Sequence, residues 1–232
     1  MLCVETATEA CSLALVTAAG IVEQHKVVPR RHNVHLFAML EELLPEGNLR
    51  AAGVDAIAYG CGPGSFTGLR IAASFAQGLA FSSAIPAIPL ETLGIMAQGA
   101  LREGLALPGE AVLVTLDARI NELYAGLYEL REGVAVALAA PWVCAPGELA
   151  LRDVHNVVAV GSGCRYRPDF PPELLGQVTA WHEQLLPRAI DMPILAQAAL
   201  EKGLAVSSDA ILPVYVQEEI SWKKLAEQGP QA

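Results

Sequence analysis

Basic residues are scarce in this chain: lysine and arginine number 15 against 25 aspartates and glutamates, a formal net charge of −10. Gripping phosphate needs clustered lysine and arginine, so the balance excludes unaided nucleic-acid binding, and any such role must pass through a partner. The acidic surface is read as a solubility feature. Cysteine is sparse and unpaired. The five residues Cys3, Cys11, Cys61, Cys144 and Cys164 form no C-x-x-C, and Cys3 and Cys11 sit in strand-like runs as small apolar core residues. No apolar stretch reaches the ~20 residues of a membrane span. The N-terminus, Met1-Leu2-Cys3-Val4-Glu5, has no basic region and meets an acid before a signal-like run can form. The expectation is a soluble, cytoplasmic protein with no membrane partner. What is abundant is core: 53% of 232 residues are hydrophobic, enough for one large domain or two small lobes.

Familiar catalytic signatures are also missing. No G-K-[ST] follows Gly64 or Gly68, and the glycine spacing is not G-x-G-x-x-G, so neither the P-loop nor the dinucleotide reading holds. Ser65, in Gly64-Ser65-Phe66-Thr67-Gly68, is not placed as a nucleophile elbow. His32 and His35 are three apart on one predicted helix face, but no acid lies at H-E-x-x-H spacing and a zinc site needs a third ligand. They are read as a surface or helix-terminus pair, and His25, His155 and His182 are isolated.

The apolar pattern predicts strands over 2–5, 11–16 and 21–27, joined by turns into a meander. A helix over 32–44 stops at Pro45, a buried strand over 54–59 runs into a glycine loop, and a helix over 67–81 precedes a strand over 85–88 and a helix over 92–102. After Pro108-Gly109 the same programme restarts, with strands over 111–116, 122–130, 134–138 and 156–160. In each half an acid, Glu5 or Asp117, closes the first strand and a Gly-x-Gly follows the fourth. This predicts an internal duplication and an α/β, two-lobed, actin-like or sugar-kinase (ribonuclease H-like) fold, each lobe a mixed sheet with helices. The expected lobes are 1–107, carrying the glycine loop, and 108–232, a smaller degenerate repeat.

Residues 60 to 68 place four glycines and Pro63 between a strand and a helix. Gly62, Gly64, Ser65 and Thr67 either present donors to a phosphate or form a tight strand-to-helix turn with Ser65 or Thr67 as N-cap. In the helix that follows, Gly68, Ala72, Ala76 and Ala80 form a small-residue stripe, Leu69, Ile71, Phe75, Leu79 and Phe81 supply bulk, and Arg70, Ser74 and Gln77 give a thin polar edge. Such a helix is either sandwiched in its own domain or docked on another chain. Glu5 and Asp117 either face a cleft as a carboxylate pair for Mg²⁺ or each bond a turn amide. With Gly62 and Gly64 they are the weak candidates for cofactor binding; no catalytic residue and no metal ligand is assigned.

Four segments together resemble the bacterial TsaB, or YeaZ-like, family. Val4-Glu5-Thr6-Ala7-Thr8-Glu9-Ala10-Cys11-Ser12 is similar to its opening D-T-[SA]-T-E-A-C-S, and Gly62 to Ile71 to its main signature G-P-G-S-F-T-G-L-R-I. Asp117-Ala118-Arg119-Ile120-Asn121-Glu122-Leu123-Tyr124 resembles D-A-R-x-x-E-[VL]-Y, and Pro213-Val214-Tyr215-Val216 with Trp222-Lys223-Lys224 resembles P-x-Y-[LV]…W-K-K. The chain departs from the pattern at Glu5, where Asp is usual, and at Gln217, where Arg is common; His32-x-x-His35 does not match the H-x-x-x-H of the catalytic relative, so no metal ligand is transferred.

The resemblance implies an actin-like fold and a role in forming threonylcarbamoyladenosine beside the anticodon of tRNAs reading A-starting codons. It implies a non-catalytic scaffold that binds the catalytic subunit TsaD, joined by a small ATPase, TsaE. ATP is then used by the complex, with no cofactor in this chain, and tRNA is reached only indirectly. The helix after the glycine loop would pack on the matching helix of TsaD, or of a second copy in a homodimer, through Gly68, Arg70, Ala72, Ala73, Ser74, Ala76, Gln77 and Ala80. Two rival readings stand beside it: an enzyme, as an actin-like ATPase or a metallopeptidase, and a homodimeric structural module with no link to tRNA.

Overall fold

The computed structural model describes residues 1–216; Gln217 and the Trp222-Lys223-Lys224 motif lie outside the described residues. The first sheet is built from β1 (Leu2–Glu5), β2 (Ala10–Thr17), β3 (Gly20–Val27), β4 (Ile57–Gly62) and β5 (Ala87–Glu91), in the order β3-β2-β1-β4-β5. β1 pairs antiparallel with β2 and parallel with β4. It is central and covered on both faces, which is why all four of its residues, Glu5 included, are buried. β3 carries Glu23, His25 and Lys26 and lies at the sheet edge, where charge is tolerated.

The second sheet contains β6 (Ala111–Arg119), β7 (Glu122–Arg131), β8 (Val134–Ala137), β9 (Trp142–Cys144), β10 (Val157–Val160) and β11 (Val178–His182). Its path, read as β8-β7-β6-β10-β11, repeats the first sheet strand for strand, with β6–β7 and β7–β8 antiparallel and β6–β10 and β10–β11 parallel. β9 is an addition paired to β7. The duplication expected from the sequence is present as repeated topology.

Helices α1 (His32–Leu43) and α2 (Phe66–Ser83) cover the outer face of the first sheet, where Leu36, Met39, Phe75, Ala76 and Ala80 join Leu2, Val4, Leu13, Ile57 and Tyr59 in one core. The next helix, α3 (Thr92–Arg102), has the bounds expected from sequence, and every residue from Thr92 to Ala100 is buried. A helix apolar all round must be enclosed, and this one lies between the sheets. Leu93, Met96, Ala97 and Ala100 pack with Val112, Val114 and Tyr128 of the second sheet, while Ile95 turns to Cys3, Ala58 and Ile88 of the first. The helix α4 (Pro172–Gln177) lies on the outer side of the second sheet, where Leu174 meets Val178. α5 (Met192–Glu201) crosses the other way, setting Met192, Ala196 and Ala199 on the first sheet. The sequence pattern did not single out β9, β11, α4 or α5.

Two strands start two or more residues later than expected. β4 starts at Ile57 and not at 54, because the Val54 amide turns back to the Leu49 carbonyl and pairing with β1 begins at Ile57. β5 starts at Ala87 and not at 85: Ala84 ends α2 in a left-handed conformation, the Ile85 amide is still bonded to Ala80, and Pro86 has no amide to give.

Candidate docking face and glycine loop

The glycine loop closes onto the connection between β1 and β2. A Cβ on Gly64 would stand 2.5 Å from the Ala7 carbonyl oxygen, and one on Gly68 would stand 1.9 Å from that of Thr6. Both positions must therefore be glycine for the backbones to meet. Gly62 ends β4 at φ +128°, with the Val214 carbonyl oxygen 2.5 Å from where its Cβ would lie. The Ser65 amide donates to the Ala7 carbonyl at 2.7 Å, the Thr6 hydroxyl donates to the Gly68 carbonyl at 2.8 Å, and the Ser65 hydroxyl accepts from the Gly68 amide at 3.4 Å. Of the two readings open from sequence, the geometry is that of a strand-to-helix turn with Ser65 as N-cap.

Glu5 is fully buried; its Oε1 accepts from the Ala7 amide at 2.5 Å and its Oε2 from the Thr92 hydroxyl at 3.2 Å. Burial pushes its carboxyl up to about 7 against those hydrogen bonds. Glu91, at the end of β5, is likewise pushed up to about 7 by burial, and its Oε1 is buried with no partner among the described residues. Asp117, near the end of β6, accepts from the Arg119 amide at 3.0 Å and the Tyr166 hydroxyl at 3.1 Å, and pairs with Arg165. Of the two readings open from sequence, each acid thus bonds a turn amide within its own half, and Glu5 is sealed from any hydrated ion. His32 opens α1 and is buried, with Nε2 3.2 Å from the Ala10 carbonyl oxygen, so of the surface and helix-terminus readings the second fits it. Among the described residues no three His, Cys, Asp or Glu side chains gather to hold a metal.

The expected partner face of α2 requires a larger correction. Gly68, Ala72, Ala73, Ala76 and Ala80 are buried within the chain, with Ala72 and Ala76 at 0% exposure. Their small size lets α2 lie close on β1 and β4, so the stripe serves the internal contact and not a second chain. The face that looks outward carries Phe66, Arg70, Ser74, Gln77 and Phe81, which fall on one side at helical spacing. Arg70, Ser74 and Gln77 of the expected set are there. Phe81 is 77% exposed, and on the neighbouring α1 Phe37 is 62% exposed with its ring edge on Phe75 at 5.6 Å between centroids. With exposed Val34, the outer sides of α1 and α2 make an apolar face that stripe reasoning missed. Val34 and Phe37, three apart where a monomer's helix would carry polar residues, were its sequence signal.

The family model described as TsaD, tRNA N6-adenosine threonylcarbamoyltransferase, matches residues 17–200. The tRNA threonylcarbamoyladenosine biosynthesis protein TsaB of Escherichia coli K12 is 36% identical over 230 residues, 97% of each chain. The chain belongs to the TsaB family. Its counterpart of the same description in Haemophilus influenzae is also 36% identical, over 97% of this chain and 96% of that one. The solved YeaZ from Pseudomonas aeruginosa superposes with a TM-score of 0.84 at 38% identity, covering 92% of this chain and 98% of its own. For this TsaB-family chain these similarities fit the actin-like, duplicated α/β architecture of the two sheets.

Proposed function

We propose that this chain serves the formation of threonylcarbamoyladenosine in tRNA, beside the anticodon of tRNAs reading A-starting codons, as the non-catalytic partner of a TsaD-type subunit. The observation that carries the reading is identity at 36% across 97% of a protein described as a tRNA threonylcarbamoyladenosine biosynthesis protein. The site supports the division of labour. Glu5 and Asp117, the two acids best placed for phosphate or metal chemistry, are consumed by internal contacts, while the outward side of α1 and α2 offers exposed Val34, Phe37 and Phe81. A TsaD-type subunit, itself related in sequence to this chain, would lay its corresponding helices on that face, and a second copy of this chain would compete for it. A TsaE-type ATPase completes the assembly in the cytoplasm; ATP is used there, no cofactor is held by this chain, and tRNA is reached only indirectly, through the partners, as the net charge of −10 favours. The two lobes of this scaffold divide near residue 108, and α5 and residues 206–216 return to pack on the first.

Reconstitution of tRNA threonylcarbamoylation tests this. Product should form with the complete set, fall to background when this chain is omitted, and not form from this chain alone. Turnover by the isolated chain that is lost in Glu5→Ala would overturn the scaffold reading in favour of an enzyme.

A further inference from the structure

In the first half the connection from β1 to β2 is roofed: Gly64 and Gly68 lie against Ala7 and Thr6, and α2 runs on over the sheet. The matching connection of the second half, from β6 to β7, stands open. There the Gly-x-Gly after β10 closes on the strand and not on the hairpin. A Cβ on Gly161 would stand 2.4 Å from the Thr115 carbonyl oxygen, and one on Gly163 2.6 Å from Thr115 Cβ. A 3-10 run, Ser162–Asp169, follows, and between β10 and β11 the six residues of α4 stand where the eighteen of α2 stand between β4 and β5. Arg119, Ile120 and Asn121, at the hairpin tip, are accordingly all exposed. Ile120, at 82%, is the most exposed large apolar residue among those described.

The backbone makes this choice of residue unusual. Arg119 pairs with Glu122 across the ladder, so Ile120 and Asn121 form a two-residue turn, with φ of +51° and +59°. Turns with positive φ at both central residues match the twist of paired strands, and they favour asparagine, aspartate and glycine because other Cβ atoms crowd the backbone there. Asn121 suits its place. Ile120 does not: it is branched at Cβ, which the left-handed region tolerates poorly, and its side chain gains no burial in return. An isoleucine set against local preference at an exposed tip points to a contact outside the chain. Its flank gives the chemistry of that contact. Asp117 is taken up by Arg165 and Tyr166, whereas the Arg119 guanidinium has no partner among the described residues. A saturated side chain cannot stack with a base or hydrogen-bond to it, so the tip suits a protein surface and not RNA. That surface is an apolar socket bordered by carboxylates, which the unpaired Arg119 would meet. We propose that the β6–β7 tip is a docking knob, with Ile120 entering such a socket on the TsaE-type ATPase. The choice of subunit rests on the reading above: the outer side of α1 and α2 in the first half goes to the TsaD-type subunit, and the ATPase is the member of the assembly left for the second half.

Two measurements on the full chain test this. In thermal unfolding, Ile120→Asn, which suits positive φ, should raise Tm by roughly 2–4 °C. An unchanged or lower Tm overturns the argument that the tip is built against its own stability. In calorimetry, the complex of this chain with a TsaD-type subunit is titrated with a TsaE-type ATPase. Ile120→Asn and Arg119→Glu should each weaken that step about tenfold, while both bind the TsaD-type subunit as the parent chain does. Parent-like affinity of either variant for the ATPase overturns the proposal. So does weakened binding by Ile120→Asn of the TsaD-type subunit, of tRNA, or of a second copy in sedimentation, each of which would name another occupant. A parent chain that binds no TsaD-type subunit defeats the function reading instead, and titration of the chain alone with the ATPase then judges the knob.

Discussion

Glu5 and Glu91 are carboxyls held up near pH 7 by burial at the ends of β1 and β5. An unfolded glutamate releases its proton near pH 4.3, so between about 4.5 and 7 the folded chain keeps protons that the unfolded chain has lost. The contribution of these groups is therefore full below pH 4.5 and is lost as pH rises through 7. Urea-melt stability should decline across that window, and Glu91→Gln, which stays neutral, should remove up to about 3 kcal/mol of the decline. A pH dependence identical to that of the parent chain would contradict the assignment. Gly68 makes a second residue-scale prediction. Its missing Cβ is replaced by the Thr6 carbonyl at 1.9 Å, so Gly68→Ala must push β1's connection and α2 apart. A loss of about 3 kcal/mol in urea unfolding is expected. The glycines of the signature were legible in sequence; that their neighbours are Thr6 and Ala7, and not a phosphate, was not, because those contacts join positions some sixty residues apart.

At the scale of the element, α2 has two faces with opposite tolerances. Ala76 is fully buried against the sheet, so Ala76→Glu places a carboxylate where nothing can solvate or pair it. Circular dichroism should report an unfolded or severely destabilised chain. Phe37→Asp and Phe81→Asp stand on the exposed face and should leave the melting curve within about 0.5 kcal/mol of the parent, while weakening association with a TsaD-type subunit tenfold or more by calorimetry. If instead Ala76→Glu folds normally and alone loses the partner, the orientation of α2 is wrong. Helical periodicity showed that Gly68, Ala72, Ala76 and Ala80 share a side. It could not say which side meets the sheet, since small residues suit close approach to a strand layer as well as to a second helix.

At the scale of the whole molecule, α3 and α5 hold the halves together by exchange, each lying on the sheet of the other half. Polar contacts reinforce this layer. Arg102 on α3 binds Asp191 at 2.6 Å, Arg188 pairs with Glu23, and the Ser12 hydroxyl accepts from the Ala189 amide at 2.9 Å while donating to Glu23 at 2.9 Å. Asp191 is held above the usual carboxylate range because burial outweighs its pairing with Arg102. Arg102→Ala would strand that carboxylate and should cost about 3 kcal/mol. With the middle layer shared, the two halves should unfold as one cooperative unit, far-UV and near-UV signals passing through a single coincident transition. Two separated transitions would show that the lobes are thermodynamically independent.

The strand-turn-helix programme of the first half, the restart at residue 111, the bounds of α3 and membership of the family were all legible in the chain, because each is written in local periodicity, punctuation by Gly and Pro, or a contiguous signature. Beyond Val160 its pattern dissolved into short 3-10 turns around Pro168, which hid β11 and α5. Tertiary contacts alone set Glu5 and Asp117 on turn amides of their own halves, turned the small residues of α2 to the sheet, exchanged α3 and α5, and laid residues 206–216 from β5 to the first turns of α2. All of these depend on contacts between positions distant in the chain, where residue type limits what can be buried but not which surface buries it.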